Sequence, residues 1–382
     1  MDTRVSQMTG GQGRIPVLLM VSGGSDSTAL LELAAKYLRG SATISFKLDE
    51  SERLNSTLLG KMGEVLPPPE RCAFYALHVN HMLRGTQADD DEAFVRAHCE
   101  NYSIPCEVRR VDVAALAAKG GQGIEATAHE LRYRLADEVL DSICERVGVP
   151  PEQGLICTAH TLDDRIETFF MRSLVGTGPG GLGSIARVQG RVRRPLLGVL
   201  REELRSWLRS RHAGCPDYEL WRDDPTNEDG SNFRSRVRMQ AMPVMRSLRP
   251  GFERSLERTM DLIASEDADL ADQARSLLYR NLSWDGQIAT LPVDVLESCS
   301  RSLARRLLRA ALLVVAPSAR LESAQIERVL SGYKRAGFVT EVSGGVRVTS
   351  DGKRLVMRVA QPSRLSRGSG SSSSGDGNNC RR

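Results

Sequence analysis

Short apolar runs alternate with helix-patterned segments over residues 15–175, and this alternation constrains the fold more than any other feature of the chain. Four apolar runs predict strands, at residues 15–21, 72–79, 105–111 and 154–159. The segments between them predict helices, at residues 27–38, 89–101, 124–147 and 163–175. The pattern is typical of an α/β fold, a parallel sheet with helices on both faces. Ligands of such sheets bind outside the carboxyl ends of the strands, so we expect chemistry just after the first and fourth strands.

The rest of the chain is expected to be mainly helical. Residues 40–71 form a long polar segment with three consecutive prolines, and they predict a surface excursion rather than a strand or helix of the core. Beyond residue 201 we expect helices at 202–211, 234–248, 254–281, 301–314 and 323–333, then three short strands at 338–342, 345–349 and 354–359. Residues 363–382 are rich in serine and glycine and are expected to be disordered.

Composition narrows the class of protein. The eight cysteines are scattered without a C-x-x-C pair, which indicates reduced thiols and a cytoplasmic protein. The apolar run at 15–21 is too short to cross a bilayer, so no membrane association is expected. Residues 187–258 hold sixteen arginines against ten acidic residues, a local charge of +6 on a chain whose total is +4. This excess favours a polyanionic partner, with a solvated helical surface as the alternative.

The loop after the first predicted strand is the strongest sign of a ligand site. It consists of Ser22, Gly23, Gly24, Ser25, Asp26 and Ser27. Adjacent glycines let the backbone approach a ligand, and the following helix offers its positive end to an anion. A carboxylate at Asp26 would repel phosphate unless a cation such as Mg²⁺ stood between them, so a metal-bridged nucleotide is indicated. The G-K-[S/T] of a Walker loop and the third glycine of a dinucleotide fingerprint are both missing. The alternative is a glycine turn capped by serine and aspartate.

This loop resembles the S-G-G-x-D-S signature of the PP-loop ATP pyrophosphatase superfamily, which implies an adenine nucleotide hydrolase-like fold and cleavage of ATP to AMP and pyrophosphate. Further segments are similar to the tRNA(Ile)-lysidine synthetase family, and they follow one another in that family's order over residues 17–245. They are residues 78–84 and 89–95, 123–126 and 131–133, 158–168 with the glycine-rich 176–183, 194–197, Trp221 with 224–227, and 234–238.

The resemblance implies a ligase that joins free L-lysine to the wobble cytidine of tRNA(Ile) with a CAU anticodon. The cytosine oxygen would first attack the α-phosphorus of ATP, and the lysine amine would then displace AMP. The loop would bind pyrophosphate, with Mg²⁺ held by Asp26 and Asp164.

Candidate catalytic residues follow the fourth strand. His160, Asp163, Asp164 and Glu167 are candidates for metal binding, lysine recognition and proton transfer, with His160, Asp164 and Glu167 expected near one helical face. For His160 and Asp163 the alternatives are a capping or surface histidine and a helix-dipole partner. Arg132 is a candidate partner of phosphate or of the cytidylate intermediate, with a surface charge as the alternative.

Four positions depart from the family's pattern. Thr161 replaces a histidine, His129 an arginine, Arg165 a glutamine and Ser235 an asparagine. Since an imidazole is a weaker phosphate partner than a guanidinium, Arg165 is a candidate to compensate for His129.

The expected domain division follows the same resemblance. Residues 1–215 would form the PP-loop catalytic domain, 216–250 a basic linker helix region, 251–362 a tRNA-binding domain and 363–382 a disordered tail. The oligomeric state is open, with a homodimer as one option.

Two other functions remain open. A tRNA thiolation enzyme would use the same loop, but sulfur transfer generally needs paired cysteines or a cluster, and the closest pair here is Cys99 and Cys106. A non-catalytic tRNA-binding homologue would not need Asp26, His160, Asp163 and Asp164. An amidotransferase-like synthetase would need a glutaminase segment, and none is recognisable.

Overall fold

The computed structural model describes residues 13–39, 50–121, 123–223 and 232–359. The chain divides into two compact units, Met1–Ser265 and Glu266–Arg382, each of which is described by itself. The tail at 363–382 and the 224–227 segment lie outside the described residues, and the expected domain boundaries stay predictions. No helix in the described part of the chain is long and apolar enough to cross a membrane.

A six-stranded sheet forms the centre of the first unit. Its strands are β1 Ile15–Met20, β2 Cys72–Asn80, β3 Cys106–Arg110, β4 Leu155–Cys157, β5 Val188–Gln189 and β6 Val192–Arg193. Their order is β3-β2-β1-β4-β6-β5, with every pairing parallel except β5 with β6. The four predicted strands are confirmed. The short β5–β6 hairpin was not predicted, because two-residue strands leave no periodic pattern to detect.

Twelve helices are described that begin in the first unit. They are α1 Ser25–Leu38, α2 Glu50–Gly63, α3 Thr86–Asn101, α4 Val113–Gly120, α5 Ile124–Val147, α6 Leu162–Val175, α7 Pro179–Leu182, α8 Arg201–Arg211, α9 Asp217–Leu220, α10 Phe233–Arg236, α11 Met242–Leu248 and α12 Phe252–Asn281, which continues into the second unit. A π-helical turn, Val237–Ala241, joins α10 to α11. It lies just before Pro243, whose ring nitrogen cannot donate a helical hydrogen bond.

Helices cover both faces of this sheet, as predicted. Val17 and Leu19 of β1 are fully buried on the face that α1 and α8 cover. Leu18 and Met20 point the other way and pack against α5. Strand side chains alternate between faces, so an all-apolar strand needs cover on both sides.

The prediction for residues 40–71 was wrong for its described part. Residues 50–63 form α2, and Leu58 and Met62 of this helix are fully buried in the core beside α1. Leu54, Leu58 and Met62 recur every four residues and give α2 one apolar face. Residues 40–49 lie outside the described residues.

The second unit combines helices with an antiparallel sheet of five strands. Its elements are β7 Ser283–Trp284, β8 Ile288–Pro292, α13 Val293–Glu297, α14 Arg301–Val315, α15 Ser323–Gly332, β9 Phe338–Val342, β10 Val346–Ser350 and β11 Arg354–Val359. The strand order is β7-β8-β11-β10-β9. The three predicted strands are confirmed, and β7 and β8 were missed. One face of the sheet packs on α14, where Leu307, Leu308 and Leu312 are fully buried.

Candidate functional site

The loop after β1 is held in shape by the hydroxyl of Ser27. Its Oγ accepts hydrogen bonds from the N–H groups of Ser22 (3.2 Å) and Gly23 (3.1 Å) and donates to the carbonyl of Gly24 (3.0 Å). Gly23 has φ +93°, a conformation that favours glycine. Gly24 precedes α1 without a side-chain cap, so the first N–H groups of that helix are left for an anion. The N–H groups left for an anion are therefore those of the helix start, because those of Ser22 and Gly23 are bonded to Ser27.

A capping box fixes the start of α6, after β4. The Asp164 carboxylate accepts at Oδ2 from the N–H (2.8 Å) and the hydroxyl (2.9 Å) of Thr161, whose own oxygen caps the Asp164 N–H. Thr161, which stands where the family has a histidine, is thus the N-cap of α6. Since Oδ2 is used in the cap, Oδ1 is the Asp164 oxygen that faces the other side chains of the site.

Arg201 brings the two predicted metal ligands together. Its Nε donates to Oδ2 of Asp26 (2.9 Å) and its Nη2 to Oδ1 of Asp164 (3.2 Å), while its backbone N–H donates to Asp163 (2.8 Å). Burial and the charge of Asp164 raise the pKa of Asp26, against the effect of Arg201. Burial opposes ionisation of Asp164 as well, but Arg201 and Arg234 hold its pKa well below the usual range. The loop and the α6 start therefore form one site.

The remaining carboxylates of α6 are also covered by arginines. Glu167 is 1% exposed and accepts from Arg234 (2.8 Å) and Arg238 (2.6 Å). Asp163 accepts from Arg246 (2.9 Å). Asp164 and Glu167 share Arg234, which confirms that these two carboxylates lie on one side of α6. In this arrangement Glu167 orients two guanidinium groups.

His160 lies before α6 rather than on it, because the helix begins at Leu162. The prediction that His160 shares a helical face with the carboxylates was therefore wrong for His160. Its Nδ1 is 2.8 Å from the hydroxyl of Thr158. Burial lowers the pKa of His160 to about 4. The charge of Asp164 opposes this shift, and the charges of Arg194, Arg234 and Arg132 add to it. The imidazole is therefore neutral near pH 7, and one of its ring nitrogens can accept a hydrogen bond.

Arg132 and two further histidines lie close to this region. Burial, followed by the charges of Arg132 and His78, lowers the pKa of His81 to about 4, and its buried Nδ1 has no hydrogen-bond partner within the described part of the chain. Arg132 on α5 is exposed and forms no ion pair with any described carboxylate, so it is available to an anionic ligand. His129 is also exposed, and its ring meets that of Tyr133 edge-on at 5.0 Å.

Arg165 does not face the loop after β1. Its buried guanidinium pairs with Asp261 of α12 (2.7 Å) and donates to the carbonyl of Gly183 (3.4 Å). Ser184 in turn donates to the Arg165 carbonyl (2.6 Å). The idea that Arg165 compensates for His129 is not supported by this position, because the side chain is engaged with α12 and the glycine-rich segment.

Replacing Arg165 with alanine is expected to destabilise the first unit by about 1–3 kcal/mol, because the change opens a cavity and leaves the Gly183 carbonyl without its donor. ATP affinity of the folded variant should be unchanged. Denaturant unfolding and nucleotide titration measure the two effects. Arg172→Ala is the matched control, since this exposed α6 arginine also donates to the glycine-rich segment, at Gly181 and Ser184. A loss of ATP affinity in Arg165→Ala alone would restore the compensation idea.

Sequence reasoning did not single out Arg201 as a site residue. The only signal was the basic excess over residues 187–258, which was attributed to a polyanionic partner. Part of that excess is used internally, by Arg201, Arg234, Arg238 and Arg246. Two more arginines reach the loop: the Arg205 side chain donates to the Ser25 hydroxyl (3.3 Å) and the Arg222 backbone N–H to the Gly23 carbonyl (2.9 Å).

The donor set fits Mg²⁺ that takes most of its ligands from a nucleotide. No group of three or more His, Cys, Asp or Glu side chains suited to a metal is found in the described ranges. Asp26 and Asp164 nevertheless converge on one cation, Arg201. Mg²⁺ is commonly bound by one or two carboxylates together with substrate phosphates and water. Asp26 and Asp164 are therefore the residues that would hold it.

Comparison with known proteins agrees with the resemblance found in the sequence. The PP-loop domain model ATP_bind_3 matches residues 1–245. The tRNA(Ile)-lysidine synthase of Thermus thermophilus is 34% identical over 263 residues, which cover 69% of this chain and 42% of that protein. The protein of the same name from Geobacter sulfurreducens is 30% identical, with 78% and 54% covered, and that from Petrotoga mobilis is 28% identical, with 71% and 76% covered.

The chain spans about half the length of the first two of these relatives. Among solved structures, the U34-tRNA thiolase NcsA from Methanococcus maripaludis is 16% identical with a TM-score of 0.43, and the match covers 66% of this chain and 73% of that one.

Proposed function

Because the chain belongs to the PP-loop family of ATP-binding proteins and matches its tRNA(Ile)-lysidine synthases, we propose that it ligates L-lysine to the wobble cytidine of tRNA(Ile) with a CAU anticodon. ATP would be cleaved to AMP and pyrophosphate. The observation that carries the proposal is the convergence of Asp26 from the loop and Asp164 from α6 on one cation. A nucleotide-binding loop and a second set of polar residues are thereby combined in one site.

In the first half-reaction the cytosine carbonyl oxygen attacks the α-phosphorus of ATP and pyrophosphate leaves. The uncapped N–H groups at the start of α1 and the hydroxyls of Ser22 and Ser25 bind the departing phosphates. Asp26 and Asp164 would hold Mg²⁺, which would supply charge neutralisation on the phosphate oxygens. Arg132, which has no carboxylate partner in the described structure, binds the phosphate of the adenylated cytidine.

In the second half-reaction the lysine amine attacks the activated carbon of the base and AMP leaves. The amine is nucleophilic only when neutral. When Nδ1–H of His160 donates to the Thr158 hydroxyl, Nε2 is the acceptor for the amine proton. The pKa of this histidine, about 4, makes it neutral but weakly basic at neutral pH, so it takes the proton only as bond formation to the activated carbon makes the amine more acidic. Asp163 and Glu167 hold Arg246, Arg234 and Arg238 around the substrates.

The test is incubation of the protein with tRNA(Ile) bearing a CAU anticodon, ATP, Mg²⁺ and labelled lysine. The expected result is label in the tRNA, with AMP and pyrophosphate formed in equal amounts. The same tRNA with uridine at the wobble position is the matched control and should stay unlabelled. Absence of label, or incorporation of sulfur without lysine, would overturn the proposal, and sulfur incorporation would favour thiolation.

A further inference from the structure

Arg201 occupies the position of a counterion between two carboxylates. The side chains of Arg201, Asp26 and Asp164 are 22%, 16% and 12% exposed, so water screens their charges poorly. Arg201 is the first residue of α8, and its backbone N–H is bound to Asp163. The guanidinium is thereby anchored next to the carboxylates that it neutralises.

The carboxylate oxygens bound to Arg201 are those that a metal would need. Oδ2 of Asp164 is engaged in the capping box, which leaves Oδ1, and this oxygen accepts from both Arg201 and Arg234 (3.2 Å each). Oδ1 of Asp26 accepts from the Ser25 hydroxyl, and Oδ2 binds Arg201. A guanidinium and a divalent cation at these oxygens would exclude each other, both by contact and by repulsion of like charges.

We propose that Arg201 is a built-in counterion that closes the metal site to free Mg²⁺ until a nucleotide is bound. The polyphosphate offers the guanidinium an alternative anion, since arginine binds phosphate as readily as carboxylate. Release of Arg201 to the phosphates frees Oδ2 of Asp26 and leaves Oδ1 of Asp164 with Arg234 and Arg238 beside it, so the metal enters together with ATP. Arg201 is then a positioning residue that couples metal binding to nucleotide binding. The inference rests on the Mg²⁺ site of the proposed function.

The test is binding of Mn²⁺, as a spectroscopic substitute for Mg²⁺, to the whole protein without nucleotide, measured by electron paramagnetic resonance. Arg201→Gln is expected to bind Mn²⁺ at least about tenfold more tightly than the unmodified protein, because Asp26 loses its arginine counterion and Asp164 loses one of the three arginines around it, keeping Arg234 and Arg238. Arg209→Gln is the matched control. It removes one positive charge from the same helix, and its guanidinium pairs with Asp217 and Glu202 instead. Its Mn²⁺ affinity should equal that of the unmodified protein.

Equal Mn²⁺ affinity in Arg201→Gln and the unmodified protein would overturn the inference, as would an equal gain in both glutamine variants. A merely structural role for Arg201 predicts loss of stability without any gain in metal affinity. Thermal unfolding separates these outcomes, because Mg²⁺ should raise the melting temperature of Arg201→Gln more than that of the unmodified protein.

If Arg201→Gln does not fold, Arg201→Lys takes its place. One ammonium cannot reproduce the two-nitrogen bridge, so its Mn²⁺ affinity should still exceed that of the unmodified protein, and an unchanged value would contradict the inference. These measurements contain neither tRNA nor lysine, so failure of lysine transfer and failure of this inference are distinguishable.

Discussion

Replacing Asp26 with asparagine is expected to lower ATP-dependent AMP formation by at least about a hundredfold, because the nucleotide would lose one carboxylate of the proposed metal site. The binding affinity for tRNA should stay unchanged, since Asp26 lies in the loop after β1 and its described side-chain partners are Arg201 and Ser25. Pyrophosphate release measures the first effect and tRNA titration the second. The fold should be retained, because asparagine keeps the shape of the side chain.

The matched control for Asp26 is Asp223→Asn. Asp223 is an exposed acidic residue that pairs with Arg205, an arginine that also contacts the loop. Its replacement removes the same charge near the site without changing the proposed metal ligands, and pyrophosphate release should be retained. An equal loss of AMP formation and tRNA binding in Asp26→Asn would show that Asp26 is part of a structural turn and not of a reaction site.

The central sheet was predictable because its strands are buried on both faces. Val17 to Leu19 must be apolar to meet helices on either side, and this leaves an uninterrupted apolar run in the sequence. The α2 helix was missed because its apolar face is narrow and most residues of the segment 50–63 are polar. Strands β5 and β7 are two residues long and are defined only by their pairing with a neighbouring strand. Two residues are too few to show a periodic pattern in the sequence.

Candidate carboxylates were predictable from short motifs, but their counterions were not. Asp26 and Asp164 belong to local patterns beside a strand end. Their shared partner, Arg201, lies 175 and 37 residues further along the chain, and it is one of sixteen arginines in the basic segment. Tertiary structure alone decides which arginine reaches which carboxylate. The same holds for Arg165, whose partner Asp261 is 96 residues away.

A buried carboxylate of α1 was not recognised from the sequence either. Glu32 is 1% exposed and accepts hydrogen bonds from Arg211 (2.7 Å) and Tyr102 (2.9 Å), and it lies 2.9 Å from Nε2 of His212. Arg211 ends α8, the helix that begins with Arg201. Glu32 therefore links α8 to α1, the helix that follows the loop after β1.

Replacing Glu32 with alanine is expected to destabilise the first unit by about 3 kcal/mol, because three polar partners lose a buried acceptor. Denaturant unfolding at pH 7 measures the loss. Glu32→Gln keeps the size of the side chain and one acceptor oxygen, so its loss should be smaller. A loss in Glu32→Ala no larger than that of replacing Lys36, a partly exposed residue of α1, with alanine would contradict the structural role.

The pH dependence of this stabilisation has a definite sign. Burial by itself would raise the pKa of Glu32, but hydrogen bonds from Arg211, His212 and Tyr102 lower it below its usual 4.5. The folded protein then binds fewer protons than the unfolded chain as the pH falls below about that value, so the contribution of the charge is full at neutral pH and is lost in acid. The difference in unfolding free energy between the unmodified protein and Glu32→Gln should therefore shrink below about pH 4.5. A difference that persists undiminished in acid would mean that packing, and not the ionised carboxylate, joins α1 to α8.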